Sequence, residues 1–330
     1  MRDVLITENI TGEAMDELLA STDSIFDPNL WQHSDKLIEM IPQFKALIVR
    51  NQTKVSRELI QAGNGLQIIG RAGVGLDNVD LGAATEQGIV VAFTPEQNTN
   101  SVAELAIGMM LSLARKIPEA DRDTRTGGWK RQRFTGIEIQ GKTLGLVGFG
   151  RIGASTAAKA RALGMDIIAY DPFVDSESSR ALDLRAEMMS LDELLSRSDF
   201  ISCHLPETAE TINLFNYEKF CLMKPSAFFI NTSRGGVVDE NGLIKAIEDR
   251  RLAGAALDVR QKEPPVIGRL EELDNVILLP HIGAFTEEGQ RRVVSAVCRD
   301  VAAVLKGDAA RNYANFGKPT RGEKITKQTK

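Results

Sequence analysis

Cysteine and histidine are scarce, with three of each in 330 residues. Cys203, Cys221 and Cys298 stand far apart and are odd in number, which argues against a disulfide framework and for buried, reduced thiols. No C-x-x-C or H-x-x-x-H spacing draws His33, His204 or His281 into a structural zinc pattern, so no metal site is expected. Long apolar runs are absent as well. The most apolar stretch, Leu105 to Ala114, is ten residues long and is flanked by Glu104 and Arg115. A membrane span needs about 18. The N-terminus already carries Asp3 and Glu8 where a secretory signal would run apolar, so the expected location is the cytoplasm. Excess positive charge is missing too. Lys+Arg is 40 against Asp+Glu 45, and a net charge of −5 makes a poor binder of nucleic acid or anionic membrane. Any anion site must be a local basic pocket.

What is present suits a soluble globular chain. The sequence is 43% hydrophobic and 26% charged, enough for two cores, and at roughly 150 residues per domain its length allows two domains. Short apolar runs alternate with helical patterns throughout. Val4–Ile6, Ala46–Val49, Leu66–Ile69 and Ile89–Phe93 read as strands, with helices near 12–20, 34–42, 55–62 and 79–87. A second series comprises Thr143–Phe149, Asp166–Tyr170, Phe200–Cys203, Ala227–Asn231, Gly254–Val259 and Val276–Leu279, with helices near 151–163, 190–197 and 240–250. Ser190-Leu-Asp-Glu193 is a capping-box start. Such alternation predicts two parallel α/β sheets built from right-handed crossovers. Between the series, Ser101–Lys116 reads as a long helix capped by Asn98, Asn100 or Ser101, and 117–140 as irregular. A second long helix, Glu287–Lys306, returns the chain to the first domain, and a basic, solvated tail follows Asn315.

Gly148-Phe-Gly150-Arg151-Ile152-Gly153 is a G-x-G-x-x-G loop between a strand and a helix, the context a dinucleotide site requires. Gly148 permits a tight turn, Gly150 lets backbone approach a pyrophosphate, and Gly153 lets the helix pack close to the strand. The N–H groups that open the helix would face the phosphates. Asp171 ends the next strand 18 residues after Gly153, where a carboxylate accepts from ribose hydroxyls and repels a 2′-phosphate. NAD is therefore the expected cofactor. No G-x-x-x-x-G-K-[ST] loop competes with this reading.

Three further residues follow strands in the second series. His281 is a candidate acid/base, Arg234 in Asn231-Thr-Ser-Arg-Gly-Gly a candidate carboxylate clamp, and Glu263 before Pro264-Pro265 a partner for the histidine. A carboxylate beside His281 would orient the ring and favour its protonated form. Cys203 and His204, as neighbours on one strand, point to opposite faces and make no dyad.

These motifs resemble the D-isomer-specific 2-hydroxyacid dehydrogenase family, in its short phosphoglycerate dehydrogenase-like branch. The resemblance runs from about Ala46 to Lys306 and rests on Ala46-Leu-Ile-Val-Arg-Asn-Gln-Thr-Lys-Val, Gly70-Arg-Ala-Gly-Val-Gly-Leu-Asp-Asn-Val-Asp and Gly141-Lys-Thr-Leu-Gly-Leu-Val-Gly-Phe-Gly-Arg-Ile-Gly. It continues through His204-Leu-Pro206, Asn231-Thr-Ser-Arg-Gly-Gly, Leu257-Asp-Val with Glu263-Pro-Pro, and Pro280-His-Ile-Gly-Ala. The resemblance implies His281 as general acid/base, Glu263 as its partner and Arg234 as the clamp on substrate carboxylate and carbonyl. It places the N–H groups of Val74 and Gly75 on the carboxylate. His204, Pro206, Thr232, Asp258 and Gly283 line the nicotinamide side, beside Gly148, Gly150, Arg151, Ile152, Gly153 and Asp171. Arg50 and Arg71, with Asn98 nearby and the run Lys130-Arg131-Gln-Arg133, match cations for a substrate phosphate.

The implied fold is a Rossmann dinucleotide-binding domain, 99–287, and a smaller flavodoxin-like α/β substrate domain from both chain ends, 1–98 and 288–330. The implied assembly is a homodimer joined through the Rossmann domains, with a small 2-hydroxy or 2-keto acid as the only partner besides NAD. Phe93, Glu96-Gln97 and Phe285 depart from the branch's usual smaller or polar residues. A bulkier wall leaves hydroxypyruvate, glyoxylate or sulfolactate-type acids as alternative substrates. Formate dehydrogenases carry Gln where Glu263 stands and are set aside. An NAD-sensing scaffold of the C-terminal-binding-protein type is the alternative of a different class.

Overall fold

The computed structural model describes residues 1–316. The basic positions expected to form a solvated tail, Lys318 to Lys330, lie outside the described residues. The chain divides into two compact units, one made of Met1–Asn98 with the segment from Phe285 onward, the other of Thr99–Ala284.

In the first unit, β1 (Arg2–Ile6), β2 (Ser24–Phe26), β3 (Phe44–Val49), β4 (Ile68–Arg71) and β5 (Val90–Ala92) form a parallel sheet ordered β2-β1-β3-β4-β5. This is the flavodoxin-like order, and its crossover point lies between β1 and β3. The inner strands read as apolar runs because both faces are covered. Leu5, Leu47 and Val49 enter one core, while Val4, Ile6, Ala46 and Ile48 enter the other with Val293, Val297 and Val301 of the Glu287–Leu305 helix. Thr286 caps that helix by accepting the Gly289 N–H at 3.0 Å. Beyond it, the Ala314 N–H reaches the Val91 carbonyl at 2.9 Å, so the chain returns to the β5 edge.

The second unit holds β6 (Thr143–Val147), β7 (Asp166–Tyr170), β8 (Glu187–Met188), β9 (Phe200–Cys203), β10 (Phe228–Asn231), β11 (Gly254–Leu257) and β12 (Val276–Leu278). They run parallel in the order β12-β11-β10-β9-β6-β7-β8. This is the doubly wound dinucleotide-binding order with a further strand, and the chain reverses between β6 and β9. Alternate residues serve opposite cores: Leu144, Leu146, Ile167 and Ala169 on one face, Val147, Ile168, Ile201 and Cys203 on the other.

Several readings need correction. The segment 117–140 is not wholly irregular, since Ile117–Arg125 is a helix. Pro118 sits in its first turn, where no N–H is needed, and Asp121 pairs with Arg125 one turn on at 2.8 Å. It buries no residue, so it has no apolar stripe to read. The long helix begins at Thr99, which puts Asn100 and Ser101 inside it rather than at its cap. Cys203 and Cys298 are buried free thiols, but Cys221 is exposed at the end of a short helix. The edge strands β2 and β8 were unforeseen, being three and two residues long and at most half-buried.

Candidate functional site

Because all seven strands of the second unit run the same way, the residues that follow them meet at one edge. Main-chain hydrogen bonds extend the sheet into these loops. The Gly148 N–H reaches Tyr170, His204 reaches Val147, Asp258 reaches Asn231, and His281 reaches Asp258, at 2.8–2.9 Å. Gly148, Asp171, His204, Thr232, Arg234, Asp258, Glu263 and His281 thus share the carboxyl edge, where open parallel sheets bind ligands.

At the crossover point, Gly148 has φ +96° and a Cβ there would lie 2.9 Å from the His204 backbone. A Cβ on Gly153 would meet the Gly148 carbonyl at 2.2 Å, so the strand and the helix it feeds approach too closely for any side chain. Gly150 faces open space and precedes Arg151–Ala162, a helix whose first turn has no side-chain cap. The Asp171 carboxylate accepts the Phe149 N–H at 2.8 Å and the Phe173 N–H at 2.9 Å, and Arg180 donates to the Phe149 carbonyl at 2.7 Å. The loop is therefore held from both sides before any ligand arrives. Each carboxylate oxygen keeps a second lone pair for a ribose hydroxyl. Thr232 is 7% exposed, and its hydroxyl has no hydrogen-bond partner among the described residues. An orphan hydroxyl at the carboxyl edge, an open glycine and uncapped N–H groups suit a dinucleotide.

His204 lies under this loop, its ring Nε2 3.0 Å from the Ser202 hydroxyl. Burial pushes the ring down to about 4, so it is neutral near pH 7. Cys203 points elsewhere, to Ser233, and burial raises its thiol to about 11. Pro206 is exposed, and its carbonyl accepts from Thr211 at 2.6 Å.

On the β11–β12 side, His281 Nδ1 and Glu263 Oε2 are 2.7 Å apart. Both side chains are partly exposed, at 41% and 35%. His281 occupies the left-handed region, φ 57°, a conformation that marks a constrained loop. The constraint is Asp258, 1% exposed, whose two oxygens accept the Ile282 and Gly283 N–H groups at 2.8 Å each. Burial raises the Asp258 carboxyl above its usual value despite these bonds. A cavity of about 370 Å³ opens beside the pair, walled by Pro264, Pro265, Leu279 and Pro280.

Glu263 is held in turn. Its Oε1 accepts the Arg260 N–H at 3.0 Å. The Arg260 side chain, 8% exposed, grips both oxygens of Glu240 at 3.0 Å and also pairs with Glu271. Sequence reasoning missed this clamp, and also Asn231, whose amide bonds the Arg234 carbonyl at 2.9 Å and shapes the turn that presents Arg234. Arg260→Ala strands two carboxylates and should cost about 2–3 kcal/mol, at the low end for a broken buried pair because Glu240 and Glu271 keep some solvent. Denaturant unfolding measures this, and an unchanged midpoint would reduce the clamp to surface decoration.

In the first unit, the Val49–Arg71 register sets Arg50 and Arg71 on adjacent carboxyl ends of β3 and β4. Arg71 folds across Gly73, and Val74 and Gly75 follow in the half-buried loop. Asn98 is 9% exposed. Lys130, Arg131 and Arg133 belong to the second unit and are exposed. Among the described residues, no helix is long and apolar enough to cross a membrane, and no group of three or more acidic, His or Cys side chains is placed to hold a metal.

Residues 107–283 match the family model for the D-isomer specific 2-hydroxyacid dehydrogenase, NAD binding domain. A D-3-phosphoglycerate dehydrogenase from Synechocystis is 45% identical over 316 residues, covering 96% of this chain and 56% of that protein. The chain thus spans little more than half the length of that curated relative. Among solved structures, the TT0316 protein of Thermus thermophilus superposes with a TM-score of 0.88 at 33% identity, over 94% of this chain and 99% of that one. A D-lactate dehydrogenase from Aquifex aeolicus, complexed with NAD and lactic acid, gives 0.84 at 29% identity over 95% and 99%.

Proposed function

The chain belongs to the D-isomer-specific 2-hydroxyacid dehydrogenase family, and from that premise we propose that it is an NAD-dependent oxidoreductase acting at C2 of a small 2-hydroxy acid, 3-phosphoglycerate before others. The observation that carries the reading is the 2.7 Å His281–Glu263 pair at the sheet edge that also bears the glycine loop and Arg234. The bound dinucleotide would supply the hydride acceptor or donor. Arg234 binds the substrate carboxylate and polarises the C2 oxygen. His281 takes the hydroxyl proton in oxidation and returns it in reduction. Glu263 orients the ring, while Asp258 fixes the loop that carries it. The Val74 and Gly75 N–H groups and Asn98 help hold the substrate, with Arg50 and Arg71 taking an anion on C3. The family member expected here works in the cytoplasm as a homodimer joined through the Rossmann units, a state sedimentation can check.

The cofactor assignment is tested by comparing kcat/KM for NADH and NADPH. A 2′-phosphate set against the Asp171 carboxylate should lower kcat/KM for NADPH about 100-fold. Equal values would remove Asp171 from the cofactor site.

A further inference from the structure

Arg50 follows β3 at the crossover point of the first unit's sheet, and the fold anchors its backbone firmly. Its N–H donates to Glu8 at 2.7 Å, and its carbonyl accepts from Asn78 at 3.0 Å. Glu8, 2% exposed, also accepts the Gln52 and Thr53 N–H groups at 3.0 Å each. The buried carboxylate therefore anchors the loop through three main-chain bonds. The guanidinium is held separately. One terminal nitrogen donates to the Gln290 side-chain oxygen, and one face lies over the Phe285 ring, 4.4 Å from its centroid. Phe285 and Gln290 are placed together by the helix start, where Thr286 caps the first turn and the Gln290 N–H reaches the Thr286 carbonyl at 2.8 Å. Burial draws the Arg50 guanidinium below its ordinary value against the pull of Glu8, so much of its hydration has already been removed.

A guanidinium covered on one face, with one N–H already spent, can offer a ligand only its plane. Nε and the other terminal nitrogen have no acceptor among the described residues. In-plane N–H pairs fit a tetrahedral oxyanion with two or three oxygens, such as a phosphate or sulfonate, and have nothing to match on a bare hydroxymethyl group. We propose that Phe285 and Gln290 are positioning residues that aim Arg50 edge-on at an oxyanion on substrate C3 and so set the preference for phosphorylated over unphosphorylated acids. This rests on the reading of Arg50 as a substrate residue. It also gives Phe285 a role that its size alone did not suggest: the ring is a platform for the cation and does not merely narrow a wall.

The test is the ratio of kcat/KM for phosphohydroxypyruvate to that for hydroxypyruvate, with NADH, in the unmodified chain and in Arg50→Ala, Phe285→Ala, Phe285→Tyr and Gln290→Leu. Phe285→Ala and Gln290→Leu should each lower the ratio about 5- to 30-fold, mainly through KM for the phosphorylated acid. Phe285→Tyr keeps an aromatic face and should restore it. Phe285 is 56% exposed, so its replacement leaves the core intact. A ratio that collapses in Arg50→Ala but stays unchanged in Phe285→Ala and Gln290→Leu overturns the positioning role and leaves the reading of Arg50 standing. No preference for the phosphorylated acid in the unmodified chain, or equal losses on both acids in Arg50→Ala, overturns that reading and the inference with it.

Discussion

His281→Ala should lower kcat about 10²- to 10⁴-fold in both directions while NADH still binds, because the glycine loop and Asp171, proposed to hold the dinucleotide, are untouched. Fluorescence titration of NADH separates the two effects. The companion change, Glu263→Gln, keeps the shape and removes the charge. Burial alone would raise the Glu263 carboxyl, but the hydrogen bonds from His281 and from the Arg260 N–H, with the charges of His281 and Arg234, outweigh it and hold the group below its usual value. Glu263 is thus an anion through the neutral range, placed 2.7 Å from the ring nitrogen that it orients. In the proposed reaction, reduction starts from a protonated His281 and oxidation from the neutral ring. Glu263→Gln should lower kcat in both directions, because an amide can present its NH2 to the ring and turn it out of place. If kcat is unchanged in both directions, Glu263 is only a loop residue.

Arg234→Ala should lower kcat/KM for any 2-keto acid by about 2–4 kcal/mol, or roughly 30- to 1000-fold, as when one partner of a hydrogen-bonded charge pair is truncated. Lysine should not restore it, since a point charge cannot bond a carboxylate and a carbonyl in one plane. The turn that presents Arg234 depends on Asn231 and on Gly235, where a Cβ would lie 1.9 Å from the Arg260 carbonyl. Loss of thermal stability without loss of kcat/KM would make Arg234 a structural residue.

The sequence exposed the parts of this molecule whose cause is local. A parallel strand covered on both faces must be an apolar run, so β3, β6, β9 and β10 could be read directly. The glycine loop is legible because each glycine answers a steric demand within a few residues. The edge strands β2 and β8 bury little and leave no such run. What escaped reading at the site is long-range. Asp258 meets Ile282 and Gly283 across 24 and 25 residues, Arg260 meets Glu240 across 20, and Arg50 meets Gln290 across 240. No pattern of spacing signals such contacts. Phe285 stood out only as a departure from related sequences, and its seat beneath Arg50 needed the fold.

The most direct measurement follows NADH consumption by the purified chain with phosphohydroxypyruvate, hydroxypyruvate and glyoxylate, beside His281→Ala. Turnover is expected, with the highest kcat/KM for the phosphorylated acid and a joint fall of all three activities by at least about 100-fold in His281→Ala with NADH still bound. Binding of NADH without consumption of any 2-keto acid, or turnover undiminished in His281→Ala, would contradict it.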